Sequence, residues 1–421
     1  MTYPAKTLTP EERILGLATA WSEVKSNYPM WHRLPDLDWD ESFRERIATV
    51  LADQPDIAYY DRLAEFCALV RDSHVRVAPP ERLAAHRSSP PVQLVGFDGQ
   101  VIVAGYVKGL AAHSPISLGD IVQSIDGVPI DDYLRNTVRP RIAAATPQFA
   151  EAHAAFLALT GVRGAPVDVE FEKMDGTVYA CRLQREPADE DATWIRYEPL
   201  HPTYDVEGRH LNPEIGYIKI GSFMNEKAPD QFRDLLASME PLRQLIVDVR
   251  TNTGGSSGYS DAIISMLVDG EVRGLPERRG FYSPTLRGWG KGTDGTGIRW
   301  EDVEGDAILP HPEVAPFTGR LIVLISRMTH SAAEDFVGTL LGCKRATLVG
   351  EPTAGSTGNP LTFQLPGGGT LIVCTRYETL ADRTEFIGVG IEPHVRAEHS
   401  VEDITTGRDP VLEAALSLRE E

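Results

Sequence analysis

Ser331 stands in "THSAAE" (329–334), directly after the apolar run "LIVLIS" (321–326). Ser331 to Glu334 spell S-x-x-E, the capping box, in which serine and glutamate satisfy free backbone N–H groups at a helix start. A serine at that place can also attack a carbonyl. The N–H of Ala332 would lie beside the resulting oxyanion, and the helix dipole would add positive potential. A second stretch, "DVRTNTGGSSG" (248–258), offers Gly254 and Gly255 between a buried strand and a helix. Glycines there can take positive φ and aim N–H groups at an anion, as in an oxyanion hole. It is no nucleotide loop, because G-x-x-x-x-G-K-[ST] is absent. A serine hydroxyl is a weak nucleophile without a base. Eleven histidines are available, and spacing alone does not choose among them.

The elements that must position these residues fall into three segments. Residues 1–85 read as a helical bundle. "TPEERILGLATAW" carries a full start signal in Thr9, Pro10 and Glu12, and Ile14, Leu15, Leu17, Ala18 and Trp21 are expected to form its apolar face. Residues 92–187 read as a β-rich domain, with turns at the Asp-Gly of "VGFDGQV" and at "MDG". Residues 190–421 alternate buried strands, such as "QLIVDVR" and "RLIVLIS", with helices. That pattern predicts an α/β core with a largely parallel sheet. Ligands of such sheets bind at the carboxyl ends of the strands, where both Ser331 and the Gly-Gly turn are expected.

"LIVDVRTNTGG", "THSAAEDFVGTLL" and "LVGEPTAGSTGN" resemble, in that order, the core of the C-terminal processing peptidases and other S41 serine peptidases. "GDIVQSIDGVPI" resembles the PDZ domain many of them carry. The resemblance covers roughly residues 60 to 395. It implies a catalytic core of the ClpP/crotonase-like α/β class, preceded by a helical bundle and a PDZ-like domain. In the processing-peptidase branch a lysine in a Gly-Lys-Gly turn serves as base. Here "TAGSTG" puts Ser356 at that position, and Lys344 stands too early in "CKRA". The histidine-using, tricorn-like branch fits better. "RDSHVRV" resembles its Ser-His pair, which implies His74 as base and Ser73 as an accessory hydroxyl. "TEFIGVGIEPHV" resembles its Glu-x-x-Gly-Val segment, which implies Glu385 as acidic partner. The oxyanion hole is then formed by the backbone of Gly255 and Ala332, with Gly254 an alternative. His330, Glu392 and Asp335 are lesser candidates, and Asp248 with Arg250 reads as an ion pair that orients the loop.

The implied activity is peptide hydrolysis through an acyl-enzyme on Ser331, acting on peptides or unfolded proteins. Two other readings use the same core: a hydrophobic-ligand carrier like the interphotoreceptor retinoid-binding repeats, and an esterase or acyl transferase. No cofactor or metal is implied. The formal net charge of −20 argues against nucleic acid or anionic membrane as main partner. Cys67, Cys181, Cys343 and Cys374 are far apart, which disfavours a disulfide framework and a structural zinc site. The N-terminus shows no secretory h-region, so a cytoplasmic location is expected, with a trimmed secreted form equally compatible. The sequence leaves the oligomeric state open.

Overall fold

The computed structural model describes residues 7–112, 114–239 and 241–418. The chain divides into two compact units. One comprises Met1–Glu198, Asn359–Thr375 and Ser400–Arg408, and the other Pro199–Gly358, Arg376–His399 and Asp409–Glu421. The three segments drawn from the sequence therefore do not map one to one. The helical and β-rich segments share a unit, and two pieces of the C-terminal segment join them.

Three helices, Pro10–Asn27, Trp39–Leu51 and Asp56–Ala68, open the first unit. The first starts as the sequence predicts: Thr9 and Glu12 form a complete capping box with Pro10 following. Its buried stripe is Gly16, Leu17, Ala20 and Val24, whereas Leu15 is 59% exposed. Position 15 lies off the i, i+3, i+7 row that runs through 17, 20 and 24, so its side chain turns outward. After the third helix the chain turns at Asp72–His74 and enters the short strand Arg76–Ala78. That strand pairs antiparallel with Thr370–Ile372 of a hairpin formed much later in sequence. Tyr60 holds this hairpin: its hydroxyl donates to the Pro366 carbonyl at 2.5 Å and accepts from the Gly369 N–H at 3.2 Å.

A seven-stranded sheet makes up the β-rich part. The hairpin of Val92–Phe97 and Gln100–Val107 closes through Asp98 and Gly99, both at positive φ, as an Asp-Gly turn requires. Pro166–Glu172 and Val178–Gln184 form the second predicted hairpin. Val167, Val169 and Phe171 point into the core while their neighbours face out. That is the period-2 pattern of a half-buried strand.

The second unit is built on a six-stranded sheet. Its order is Val206–Asn212, Ile215–Ile220, Gln244–Asp248, Arg320–Ile325, Ala346–Gly350 and Val395–Arg396. The first pair is antiparallel and the others are parallel. The two central strands are buried along almost their whole length, as their unbroken apolar runs predict. Because they are parallel neighbours in register, with Asp248 beside Leu324, their exits emerge side by side. Asp248 and Arg250 form a fully buried ion pair at 2.6 Å. Arg250 also reaches Asp409 at 2.8 Å, and the Tyr217 hydroxyl donates to Asp248 at 2.6 Å. The guanidinium and the tyrosine hydroxyl together hold the Asp248 carboxyl below its usual range despite burial.

Arg250→Met would leave two carboxylates facing each other without their shared cation. The expected result is a loss of about 3–5 kcal/mol in urea-unfolding free energy.

Candidate active site

Both stretches singled out above exit the central parallel strands, and side-chain hydrogen bonds lock one exit to the other. Ser326 Oγ donates to the Arg250 carbonyl at 2.6 Å, and Thr329 Oγ1 to the Val249 carbonyl at 2.9 Å. Asn252, fully buried, organises the glycine turn. Its Nδ2 donates to the Ile220 carbonyl at 3.1 Å, and its Oδ1 accepts the Gly254 N–H at 2.8 Å. Sequence reading passed over Asn252. The available signal was its type, since Asn accepts from backbone N–H groups two residues on and so builds turns.

Gly254 and Gly255 sit at φ 95° and 143°. A Cβ on Gly254 would come within 2.6 Å of Ser331 Cβ, and one on Gly255 within 2.1 Å of the Phe223 backbone. Only glycine fits either place. Phe223 bridges to Gly255 in parallel fashion: Phe223 N–H donates to Gly254 C=O at 3.0 Å and Ser256 N–H to Phe223 C=O at 2.8 Å. That pattern uses the groups flanking Gly255 and turns its own N–H to the opposite side. The Gly254 N–H is committed to Asn252, which leaves Gly255 as the free amide of the pair. Among the described residues neither the Gly255 nor the Ala332 N–H meets an acceptor.

Ser331 is the N-cap of the Ala332–Gly342 helix, at φ 58° and ψ −130°. Non-glycine residues avoid this region; holding one there costs about 1–3 kcal/mol. The compensation comes from Glu334. Its Oε2 accepts the N–H of Ser331 at 3.3 Å and of Ser356 at 2.9 Å. Its Oε1 accepts the Gly355 N–H at 2.7 Å and Thr353 Oγ1 at 2.5 Å. The Ser331 N–H also reaches the Ser356 carbonyl at 3.1 Å. The capping glutamate thus clamps residues 353–356 onto the Ser331 turn. Burial pushes its carboxyl up to about 7, while the hydrogen bonds pull the other way.

Behind this clamp lie two more buried carboxyls. Asp335 Oδ2 accepts from Ser257 Oγ at 2.7 Å, at the start of the helix after the glycine turn. Thr357 Oγ1 donates to Glu378. Burial raises both groups, with Glu378 adding to the effect on Asp335. Asp335 is one of the lesser acidic candidates named from the sequence; Glu378 was not singled out, and the two come together only through the fold.

In the second unit the structure brings together Ser331, Ala332, Gly254 and Gly255. It places Ser356, at the position of the processing-peptidase lysine, in a fully buried loop beside Ser331. His330 is turned away, with Nδ1 3.2 Å from the Thr253 carbonyl. Glu385 is exposed on a loop whose Gly388 N–H donates to the Gly355 carbonyl at 2.7 Å. Glu392 is exposed as well.

In the first unit, His74 is 6% exposed and Ser73 half-buried. Asp72, which sequence reading did not single out, is fully buried beside them. Its Oδ1 accepts the His74 N–H at 2.8 Å and lies 3.8 Å from His74 Nδ1. An aspartate two residues before a histidine is an Asx-turn signal. All four cysteines are free thiols. No group of three or more His, Cys, Asp or Glu among the described residues is arranged to hold a metal ion, and no helix among them is long and apolar enough to cross a membrane.

Residues 214–397 match peptidase family S41. The chain is 23% identical over 429 residues to the chloroplastic C-terminal processing peptidase of Tetradesmus obliquus, covering 94% of this chain and 80% of that protein. It is 26% identical over 300 residues to the chloroplastic carboxyl-terminal-processing peptidase 2 of Arabidopsis thaliana, covering 70% of this chain and 49% of that protein. Its fold is that of mature CPAF, solved in complex with lactacystin, at TM-score 0.74 and 17% identity, covering 95% of this chain and 96% of that one. Residues 214–397 are thus similar to the S41 peptidases, and the named relatives support a serine-type peptidase.

Two substitutions test the clamp and the acid pair. Glu334→Gln sets an amide against N–H donors, and unfolding free energy is expected to fall by about 1–3 kcal/mol. Asp335 keeps its proton in the folded chain where the unfolded chain has lost it. Its contribution therefore declines as pH rises above the unfolded value. Asp335→Asn removes that dependence, so urea unfolding followed from pH 5 upward should show wild type losing stability relative to the variant as pH rises.

Proposed function

We propose that the protein hydrolyses peptide bonds of unfolded polypeptides through an acyl-enzyme on Ser331, with His74 as general base. The observation that carries this reading is the strained, clamped Ser331 turn beside two unoccupied amides, Gly255 and Ala332. Strain of this kind at a half-buried serine in a strand-to-helix turn favours a nucleophile over a plain cap.

The chemistry follows. Ser331 Oγ adds to the scissile carbonyl as its proton passes to the His74 imidazole. The carbonyl oxygen gains negative charge and accepts from the Gly255 and Ala332 amides, which need no reorganisation. The C–N bond then breaks, the imidazolium gives its proton to the leaving amine, and the acyl group stays on Ser331. Water, deprotonated by the same imidazole, releases the carboxylic acid and restores the hydroxyl. Asp72 beside Nδ1 would favour the tautomer that leaves the other nitrogen for proton transfer. Glu385 is the acidic partner that the family resemblance implies, and Ser73 the accessory hydroxyl. The ClpP/crotonase-like character of the core and the PDZ-like character of the β-rich part belong to this reading too. The edge strand Val92–Phe97 is the place where such a domain would add a substrate strand.

Ser331→Ala is expected to abolish labelling by a fluorophosphonate probe and to lower cleavage of an unfolded protein by about 10⁴-fold or more. His74→Ala should cost a similar factor. Gly255→Ala, whose Cβ would meet the Phe223 backbone at 2.1 Å, should displace the Gly255 amide and lower kcat with little change in fluorophosphonate labelling only if the turn still forms, which far-UV circular dichroism and urea unfolding check. Full cleavage by Ser331→Ala would reject the proposal. Unlabelled wild type that binds retinoid or fatty acid would favour a carrier, and turnover of activated esters without peptides an esterase.

A further inference from the structure

We propose that Ser257 and Asp335 are positioning residues: the hydrogen bond between them sets the spacing of the Gly255 and Ala332 amides that receive the oxyanion. This rests on Ser331 being the nucleophile.

The two amides come from different elements. Gly255 belongs to the glycine turn, and Ala332 opens the helix that follows Ser331. Two glycines in a row give that turn wide backbone freedom, so an amide within it stays aimed only if both flanks are tied down. The upstream flank is tied to the Ser331 turn, where His330 N–H donates to the Asn252 carbonyl at 3.1 Å. Between the two glycines, the Gly254 carbonyl accepts from Phe223 N–H at 3.0 Å, which orients the peptide plane that carries the Gly255 N–H. The downstream flank is the start of the helix Ser257–Ile264. There Ser257 Oγ donates to Asp335 Oδ2 at 2.7 Å.

This bond runs beside the two amides. Ser257 stands two residues after Gly255, and Asp335 three after Ala332, one turn along the same helix face. Residues 255–258 are all exposed, so side-chain packing does little to hold this rim and the hydrogen bond counts for more. Asp335 is also a costly residue for a plain helix position. Its other oxygen, Oδ1, is buried without a hydrogen-bond partner among the described residues. Burial, with Glu378 adding to it, raises the carboxyl. A buried oxygen left unpaired is a penalty that a small apolar residue would avoid. What Asp335 supplies in return is the tie to Ser257.

The test measures kcat and KM on a fluorogenic peptide that wild type cuts, together with the affinity of a peptide aldehyde and fluorophosphonate labelling of Ser331. Ser257→Ala and Asp335→Ala should each lower kcat about 10-fold with KM little changed. The aldehyde should weaken by a similar factor, because its tetrahedral adduct puts an oxygen on the same amides. Ser257→Thr and Asp335→Asn keep the hydroxyl and the acceptor, and should recover most of the loss. The double alanine variant should lose no more than either single one. Far-UV circular dichroism checks folding, and if Asp335→Ala does not fold, the Ala and Thr variants at the exposed Ser257 carry the same readout. Unchanged kcat in the folded alanine variants, a loss confined to KM, or no recovery with Thr and Asn would overturn the positioning role while wild-type labelling stays intact. Absence of wild-type labelling would overturn the nucleophile and this inference with it.

Discussion

One buried carboxylate holds the candidate site in place. Glu334 accepts four donors from two stretches of the chain, and without it Ser331 has little reason to stay in a region that L-residues avoid. A carboxylate with no water is expensive unless every lone pair is used. Here the four hydrogen bonds offset both the desolvation and the strain: the amides need an acceptor, the acceptor needs donors, and both are met when Ser331 is bent. Capping and the proposed catalysis thus draw on a single geometry.

The sheet determines what can gather around that carboxylate. Two parallel strands in register deliver their exits to one edge, so the glycine turn and the Ser331 turn meet without any long loop. Ser326 and Thr329 then fasten one exit to the other through backbone carbonyls, while Asn252 ties the glycine turn to the strand ending at Ile220. Beneath, Asp248 and Arg250 anchor the first exit in a buried network that extends to Asp409.

Local signals were legible in the sequence and distant ones were not. The Thr9 capping box, the Asp98–Gly99 turn, the buried strand runs and the glycine pair each depend on a few neighbouring residues, so pattern reading found them. Leu15 shows the limit even there: a stretch rich in apolar residues does not by itself say which of them face inward. Asp72, Asp335 and Glu378 acquire meaning only through burial and partners elsewhere, which spacing does not encode. The division into units was missed for the same reason. A hairpin near residue 370 pairs with a strand near residue 77, and no local pattern announces it.

That pairing bears on how the protein is made. The strand that follows His74 has no partner until the ribosome has added almost three hundred more residues. Tyr60 likewise waits for Pro366 and Gly369. A nascent chain therefore carries its imidazole on an unfinished sheet through most of synthesis. The first unit is therefore completed late, when its C-terminal stretches arrive, and a ribosome that stalls early releases a fragment whose strand Arg76–Ala78 lacks its partner.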